Sequence, residues 1–323
     1  MKVDTESRGR TKPIRRIKQT RGLTKQKSQT GFKSILVPID FSETSARAFD
    51  YAITLTREYG SEIRLLHVLE PPVVFKSLNP AFANWDSQST EAAKTRLAEL
   101  ADEKIDELVP VISEVRLGCA YQVVCETARK LQCDLIVIGT HGFTGLKHLF
   151  LGSTAERVIR HAPCSVLVVR KQTGRNARSI LKPKKILMPT DFSKPAEQAL
   201  NSAIALAKQY RAQLSLLYVV PIHYAVGDYD LMDYATLTAE QKEIGQKKLA
   251  AMSKRLLAKK ISVDTRLRHG RPAVEINEAA AELECDLIVI STHGHTGWER
   301  MTLGSTTEEV VRHASCPVLV VRN

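Results

Sequence analysis

Two α/β domains in tandem, each a doubly wound five-stranded parallel sheet, are the fold that this 323-residue sequence predicts. Three observations lead there. First, the stretch Cys133–Val169 returns as Cys285–Val321: Asp134 and Asp286, Gly142 and Gly294, and Gly152 and Gly304 are each about 152 residues apart. That offset is the length of a domain, so a whole domain was duplicated. Second, short apolar runs alternate throughout with stretches of helical period, the pattern of a parallel sheet with helices on both faces. Third, each copy carries an apolar strand that opens into a glycine-containing loop and then a helix start, a junction suited to holding an anion.

The composition permits this. With 43% hydrophobic residues the chain can bury two ordinary cores. It has no apolar run of about 18 residues, so no membrane span is expected. The basic start lacks an apolar segment of the secretory kind, and Asp4 and Glu6 argue against an organelle transit peptide. The six cysteines, Cys119, Cys125, Cys133, Cys164, Cys285 and Cys316, include no CxxC pair. They are expected to be small buried thiols of a cytoplasmic protein, with a redox or metal role as the alternative. The net charge of +12 is concentrated before Gly31, where ten Lys and Arg face only Asp4 and Glu6.

Taken in order, residues 1–32 have few apolar side chains and no period, and are expected to be a disordered basic arm. The arm could touch RNA, DNA or an anionic membrane surface through charge, or serve only as a solvated tail. Domain boundaries are expected at 33–171 and 184–323, joined by a linker over 172–183. Ser34–Ile39 (SILVPI) reads as a strand ended by Pro38. Ser42 is a candidate N-cap for a helix carrying Ser45, Phe49, Ala52, Ile53 and Thr56 at helical spacing. Lys185–Asp191 and the helix of Ala196, Leu200, Ala203, Ile204 and Ala207 repeat this pair. Ile63–Leu69 and Leu214–Val220 are the second strands.

Loops are expected over 73–89 and 222–237. Their aromatics, Phe75, Phe82 and Trp85 in one and Tyr224, Tyr229 and Tyr234 in the other, suit lids, partner surfaces or local packing. Helices follow at 90–108 and 239–258, short strands at 112–117 and 261–267, and helices at 121–131 and 273–283.

The repeated stretch closes each copy. Leu135–Ile138 is a buried strand that runs into Gly139, Thr140, His141 and Gly142. Glycines at 139 and 142 would let the main chain approach a phosphate, and ordinary turn glycines are the alternative. Gly152, Ser153 and Thr154 then open a helix, with Ser153 and Thr154 as candidate N-cap and hydroxyl donor.

Gly-x-x-Gly, nine residues, then Gly-Ser, flanked by Asp-Leu-Ile-Val-Ile and a Pro-x-Asp segment, resembles the nucleotide-binding signature of the universal stress protein family, in two copies covering nearly everything after Lys33. The resemblance implies a Rossmann-like fold of the adenine nucleotide alpha hydrolase type, with strand order 3-2-1-4-5. That order brings Asp40 beside the Gly139 loop at the switch point. It also leaves Ser165–Val169 on an edge that invites pairing with Val318–Val321, so that the tandem chain would mimic the family's homodimer; a homodimer of the whole chain is a further expectation.

It implies ATP as the bound ligand. Asp40 would accept from ribose hydroxyls, Pro38 and Ile39 would flank the sugar or base, and Val68 would read the adenine edge through its main chain. Thr140 and His141 would line the phosphates, and Gly152, Ser153 and Thr154 would hold the terminal ones. His141 as a solvent-facing loop residue is the alternative. Mg²⁺ could bridge phosphate oxygens, although no carboxylate pair dedicated to it is visible. In the second copy Thr190, Asp191, Val219, His293, Gly294, Gly304, Ser305 and Thr306 match, but Ser291 replaces Gly139. A Cβ there could block the approach of a phosphate, or cost little where φ is negative.

The function expected is a non-catalytic, stress-response nucleotide-binding protein. A slow ATPase or nucleotidyl-transferring enzyme is the rival, although the sequence has no GxxxxGK[ST] loop. A nucleic-acid binder acting through the arm is the third class.

Overall fold

The computed structural model describes residues 31–70, 85–105, 109–140, 151–170, 182–222, 231–293 and 303–322. The basic arm, most of the linker, Phe75, Phe82, Tyr224 and Tyr229 lie outside them.

The first half runs β1 (Ser34–Pro38), α1 (Glu43–Tyr59), β2 (Glu62–Leu69), α2 (Trp85–Lys104), β3 (Val111–Leu117), α3 (Ala120–Lys130), β4 (Leu135–Gly139), α4 (Ser153–His161) and β5 (Ser165–Val169). The second repeats it as β6 (Lys185–Pro189), α5 (Lys194–Tyr210), β7 (Gln213–Pro221), α6 (Leu231–Ala258), β8 (Val263–Gly270), α7 (Pro272–Glu282), β9 (Leu287–Ser291), α8 (Ser305–His313) and β10 (Val318–Val321).

Two expected loops are shorter than the sequence suggested. Trp85 and Tyr234 stand in α2 and α6, which start several residues early. No proline or glycine interrupts 85–90 or 231–239, so nothing stops the helix from extending toward its N-terminus.

All ten strands form one sheet in the order β3-β2-β1-β4-β5-β10-β9-β6-β7-β8. Each half has the order 3-2-1-4-5, and its neighbouring strands are parallel. Alternation along the strands builds two cores. Ile35, Val37, Leu135 and Val137 face α1 and α2, while Leu36, Ile136 and Ile138 face α3 and α4. Both cores contain residues of both halves, so the apolar layers run unbroken across the middle of the molecule. Small residues let the helices lie close to the sheet, as with Ala48 and Ala52 of α1 and Ala199 and Ala203 of α5.

The middle is the antiparallel pair β5–β10, with Leu167 opposite Leu319. Val166 to Val169 and Val318 to Val321 are all buried. Each side chain so buried stabilises the fold by about 1.5–3 kcal/mol, and the pairing removes two open strand edges.

Reciprocal arginine contacts finish the seam. Arg322, after β10, donates to the carbonyls of Arg160 (2.8 Å) and Ala162 at the end of α4. Arg170, after β5, donates to those of Arg312 (2.6 Å) and Ala314 at the end of α8. Helix C-termini leave such carbonyls unpaired and carry partial negative charge, so a guanidinium suits them. Glu156, Arg160, Glu308 and Arg312 add a ring of ion pairs across the seam, including Arg160–Glu308 at 3.0 Å and Arg312–Glu156 at 3.4 Å.

Candidate functional site

In the first half, β1 and β4 are neighbours whose connections leave in opposite directions, which opens a crevice beyond their C-terminal ends. A cleft of about 720 Å³, part of it open to solvent, occupies this place. Its floor is apolar: Leu66 and Val68 of β2, Ile138 of β4, and Ala120 and Val124 of α3. Pro38, Ile39 and Asp40 follow β1 along one side, and Gly139, Thr140, Gly152, Ser153 and Thr154 form the other. Every first-half candidate among the described residues therefore borders one cleft; His141 and Gly142 lie outside the described residues. Ser45, Leu66, Ala120, Val124, Ile138 and Ala155 also line it and were not singled out from sequence.

Asp40 is the single ionisable side chain among the described residues lining this cleft. Its carboxylate is held in place, because Oδ1 accepts from the Ser42 hydroxyl at 2.6 Å and the Ser42 amide at 3.0 Å. Ser42 also caps α1, accepting from the Ser45 amide. Between them Phe41 adopts φ 63°, a left-handed conformation that is costly for a bulky side chain. Contacts hold it there. The His67 ring lies 4.6 Å away, the Arg96 guanidinium sits 4.3 Å over the Phe41 ring, and His67 Nδ1–H donates to the Ile39 carbonyl at 2.6 Å.

On the opposite wall, the Thr140 amide donates to the Val169 carbonyl, and the Gly152 amide donates to the Thr140 carbonyl at 2.7 Å. This stitch ties Gly152 back to Thr140, just after β4, and fixes where α4 begins. Here the sequence reading needs correction: Gly152 is the N-cap (φ −61°, ψ 141°), and Ser153 is the first helical residue. Among the described residues no side chain caps α4, which leaves the first-turn amides to water or an anion, with the positive end of the helix dipole behind them.

Gly139 also has a packing role. Its φ is not in the left-handed region. A Cβ there would lie 2.8 Å from the Thr44 carbonyl carbon and 3.0 Å from the Ser45 nitrogen. The missing side chain makes room for the first turn of α1, which is a packing reason. In the second half, the Ser291 side chain is accommodated: Oγ donates to the His293 carbonyl at 2.8 Å, while the Ser291 carbonyl accepts from Thr307 Oγ1. Ser291 shares the sheet face of Leu287 and Val289, toward α5. The obstruction expected of its Cβ is therefore directed at a helix.

The other second-half candidates repeat the frame. The Thr190 amide donates to the Leu217 carbonyl, Thr190 Oγ1 accepts from the Phe192 amide, and Asp191 Oδ1 accepts from the Ser193 amide at 3.0 Å. Val219 ends near the top of β7. The Gly304 amide donates to the Thr292 carbonyl at 2.9 Å, and Gly304 caps α8 without a side chain, so Ser305 and Thr306 begin the helix. His293 pairs Nδ1 with Thr292 Oγ1 at 2.9 Å. Burial, helped by the charge of Arg322, pulls its pKa below the ordinary imidazole value. Gly294 lies outside the described residues.

Among the described residues no group of three or more His, Cys, Asp or Glu is placed to hold a metal ion. All the cysteines are free, and Cys119 alone is not fully buried. Burial pushes the thiols of Cys125, Cys164 and Cys285 up to about 11, 12 and 12, which keeps them protonated and unreactive. Among the described residues no helix is long and apolar enough to cross a membrane.

Comparison with known proteins agrees with the duplicated fold. The model of the universal stress protein family matches residues 31–170 and again 182–322. Universal stress protein MJ0531 of Methanocaldococcus jannaschii is 39% identical over 139 residues, which are 43% of this chain and 82% of that protein. A universal stress protein of Mycolicibacterium smegmatis is 26% identical over 300 residues, 89% of this chain and 96% of its own length. The crystal structure of a universal stress protein from Archaeoglobus fulgidus superposes with a TM-score of 0.64 at 22% identity, covering 90% of this chain and 96% of the other. The chain belongs to the universal stress protein family and carries that family's domain twice.

Proposed function

We propose that the first-half cleft binds an adenine nucleotide, ATP, and that the protein acts in the stress response as a nucleotide-responsive regulator. The observation that carries this reading is the pairing of opposites across one cleft. An uncapped helix N-terminus stands on one wall and the oriented Asp40 carboxylate on the other, above an apolar floor. The amides of Ser153 and Thr154 would take phosphate oxygens. Asp40 would accept from ribose hydroxyls. The Val68 main chain, beside Leu66 and Val124, would receive the base. Pro38, Ile39, Gly139, Thr140, His141, Gly142 and Gly152 complete the site by proximity in fold or sequence.

The second half offers the same frame through Thr190, Asp191, Val219, Ser291, His293, Gly294, Gly304, Ser305 and Thr306, and is proposed as a second site. Mg²⁺ would be held mainly by phosphates and water, since the described cleft supplies only one carboxylate.

Binding rather than turnover is favoured because that lone carboxylate already accepts two hydrogen bonds from Ser42, and phosphoryl transfer needs both placed cations and an oriented nucleophile. For occupancy to act as a signal, the nucleotide must bind two conformations unequally. Calorimetric titration with ATP, ADP and AMP, with released phosphate followed in parallel, tests the reading. Saturable binding with phosphate release at the protein-free rate is expected. No heat and no competition with any of the three nucleotides would refute it.

A further inference from the structure

The two ends of the ten-stranded sheet are built from equivalent elements, yet they carry opposite charge. At the first-half end α2 packs on β2 and β3; at the second-half end α6 packs on β7 and β8, on the same side of the sheet. The two helices correspond closely. Arg96 lies over Phe41 and Lys248 over Phe192, at the repeat offset of about 152 residues.

On α2 every cation is engaged: Lys94 with Glu91, Lys104 with Asp50, and Arg96 with Phe41. Glu99, Asp102 and Glu103 are exposed and have no cationic partner among the described residues. On α6 and the turn that follows it the excess is basic, with Glu240 as an exposed acid among it. Lys242, Lys254, Lys259 and Lys260 are exposed and without a carboxylate partner among the described residues. At the repeat offset Asp102 corresponds to Lys254 and Glu103 to Arg255, so the sign inverts at these two positions, while Glu91 and Glu243 keep theirs.

Apolar exposure follows the same division. Among the described residues the exposed large hydrophobics are Ile112 (46%) and Leu117 (45%) on β3, and Ile244 (53%) and Leu257 (57%) on α6. None is in the middle of the molecule, where the cores run unbroken.

We propose that these ends dock on one another between molecules: the acidic α2–β3 end of one chain receives the basic α6 end of a second copy, head to tail. Such a contact joins two different surfaces and leaves one free end on each molecule, so assembly continues with concentration. Opposite charges set the polarity, since like ends repel. Leu117, on the α2 face of β3, and Ile244 and Leu257 on α6 supply apolar area that a purely electrostatic contact would lack. Nucleic acid is the other occupant that exposed lysines suit. The second copy is favoured because the chain itself carries the complement, and because a phosphate backbone makes no use of Ile244 and Leu257. The inference does not depend on nucleotide binding.

The test is sedimentation velocity of the full chain over a range of concentration and salt, with two charge-reversal variants, D102K/E103K and K254E/K259E. The wild type is expected to associate at low salt and to revert toward the 36.0 kDa single chain as salt rises. Each variant alone should associate roughly tenfold more weakly. Mixing the two should restore association, because the reversed patch of one then faces the oppositely reversed patch of the other. Restoration also shows that both variants are folded. It separates this contact from one made by the basic N-terminal residues, which neither variant alters. A wild type that remains a single chain at every concentration, or association unchanged in both variants, overturns the proposal. So does a wild type that does not self-associate but binds a single-stranded oligonucleotide through Lys254 and Lys259, which would give the surface to nucleic acid.

Discussion

The two halves solve the same structural problem with different residues, and the differences separate what packs from what lines the cleft. At the top of the fourth strand the first half has Gly139 and the second has Ser291, yet both support a buried Thr (Thr140 and Thr292) stitched to a glycine N-cap. Behind the acidic residue, Phe41 rests on His67 and Arg96, while Phe192 rests on Tyr218 and Lys248 at 4.8 and 5.0 Å. Both phenylalanines take the same left-handed turn, φ 63° and 64°. At the end of the first helix, Gly60 adopts φ 71° and Arg211 adopts φ 52°. Supporting residues vary in kind, whereas the Asp, the Gly cap and the hydroxyl pair after it recur. That recurring set borders the first-half cleft, where Ser45 and Gly139, which do not recur, line it as well.

Asp40→Ala and Asp191→Ala ask whether both halves use that set. Losing hydrogen bonds to a charged group costs about 1.5–3 kcal/mol. Asp40→Ala should therefore weaken ATP binding by roughly tenfold to a hundredfold in calorimetry, and Asp191→Ala should remove the second equivalent of binding to a similar degree. If Asp191→Ala leaves the stoichiometry and affinity untouched, the second half is not a site.

Gly139→Ala and Ser291→Gly probe the packing difference. The added methyl meets main chain of α1, so Gly139→Ala should destabilise the fold by about 1–3 kcal/mol in urea unfolding. Ser291→Gly should cost about 1 kcal/mol, through backbone freedom and the lost Oγ hydrogen bond. Equal and negligible effects would contradict the packing role given to Gly139.

The seam is the region where the halves are most alike, and it predicts a symmetric result. Arg322→Ala and Arg170→Ala each leave helix-end carbonyls without their donor and should each cost about 1–3 kcal/mol. A large effect from one and none from the other would break the reciprocity. Smallest is the helix-end exchange. Arg211→Gly relieves a left-handed non-glycine residue but adds freedom to the unfolded chain, so a gain below about 1 kcal/mol is expected. Gly60→Arg should lose about as much.

Much of this was legible in the sequence because it rests on local pattern. Alternation in Ile35–Val37 and Leu135–Ile138 marks the strands, and the duplication marks the repeat. The apolar runs Ser165–Val169 and Val318–Val321 are edge strands whose side chains need cover on both faces, and they meet at the seam. What local pattern could not show depends on neighbours distant in sequence. The packing reason for Gly139 shows only once Thr44 and Ser45 are placed against it. Ser153 looks like an N-cap until the Gly152–Thr140 bond fixes the helix start one residue earlier. The early starts of α2 and α6 were missed because aromatic residues near a proline read as loop. The reach of Arg322 to α4, about 160 positions away in sequence, has no local signal.

The account rests on bare amides at the start of α4 receiving an anion, and titrating ATP into Gly152→Asp tests this directly. An aspartate at the cap accepts from the same first-turn amides and brings negative charge to the helix end. Folding stability should be unchanged or slightly raised, while ATP affinity at the first-half site should fall by about a hundredfold, equivalent to about 2.7 kcal/mol. A variant that folds normally and binds ATP as the wild type does would show that the nucleotide does not sit on α4, and the central claim would be wrong.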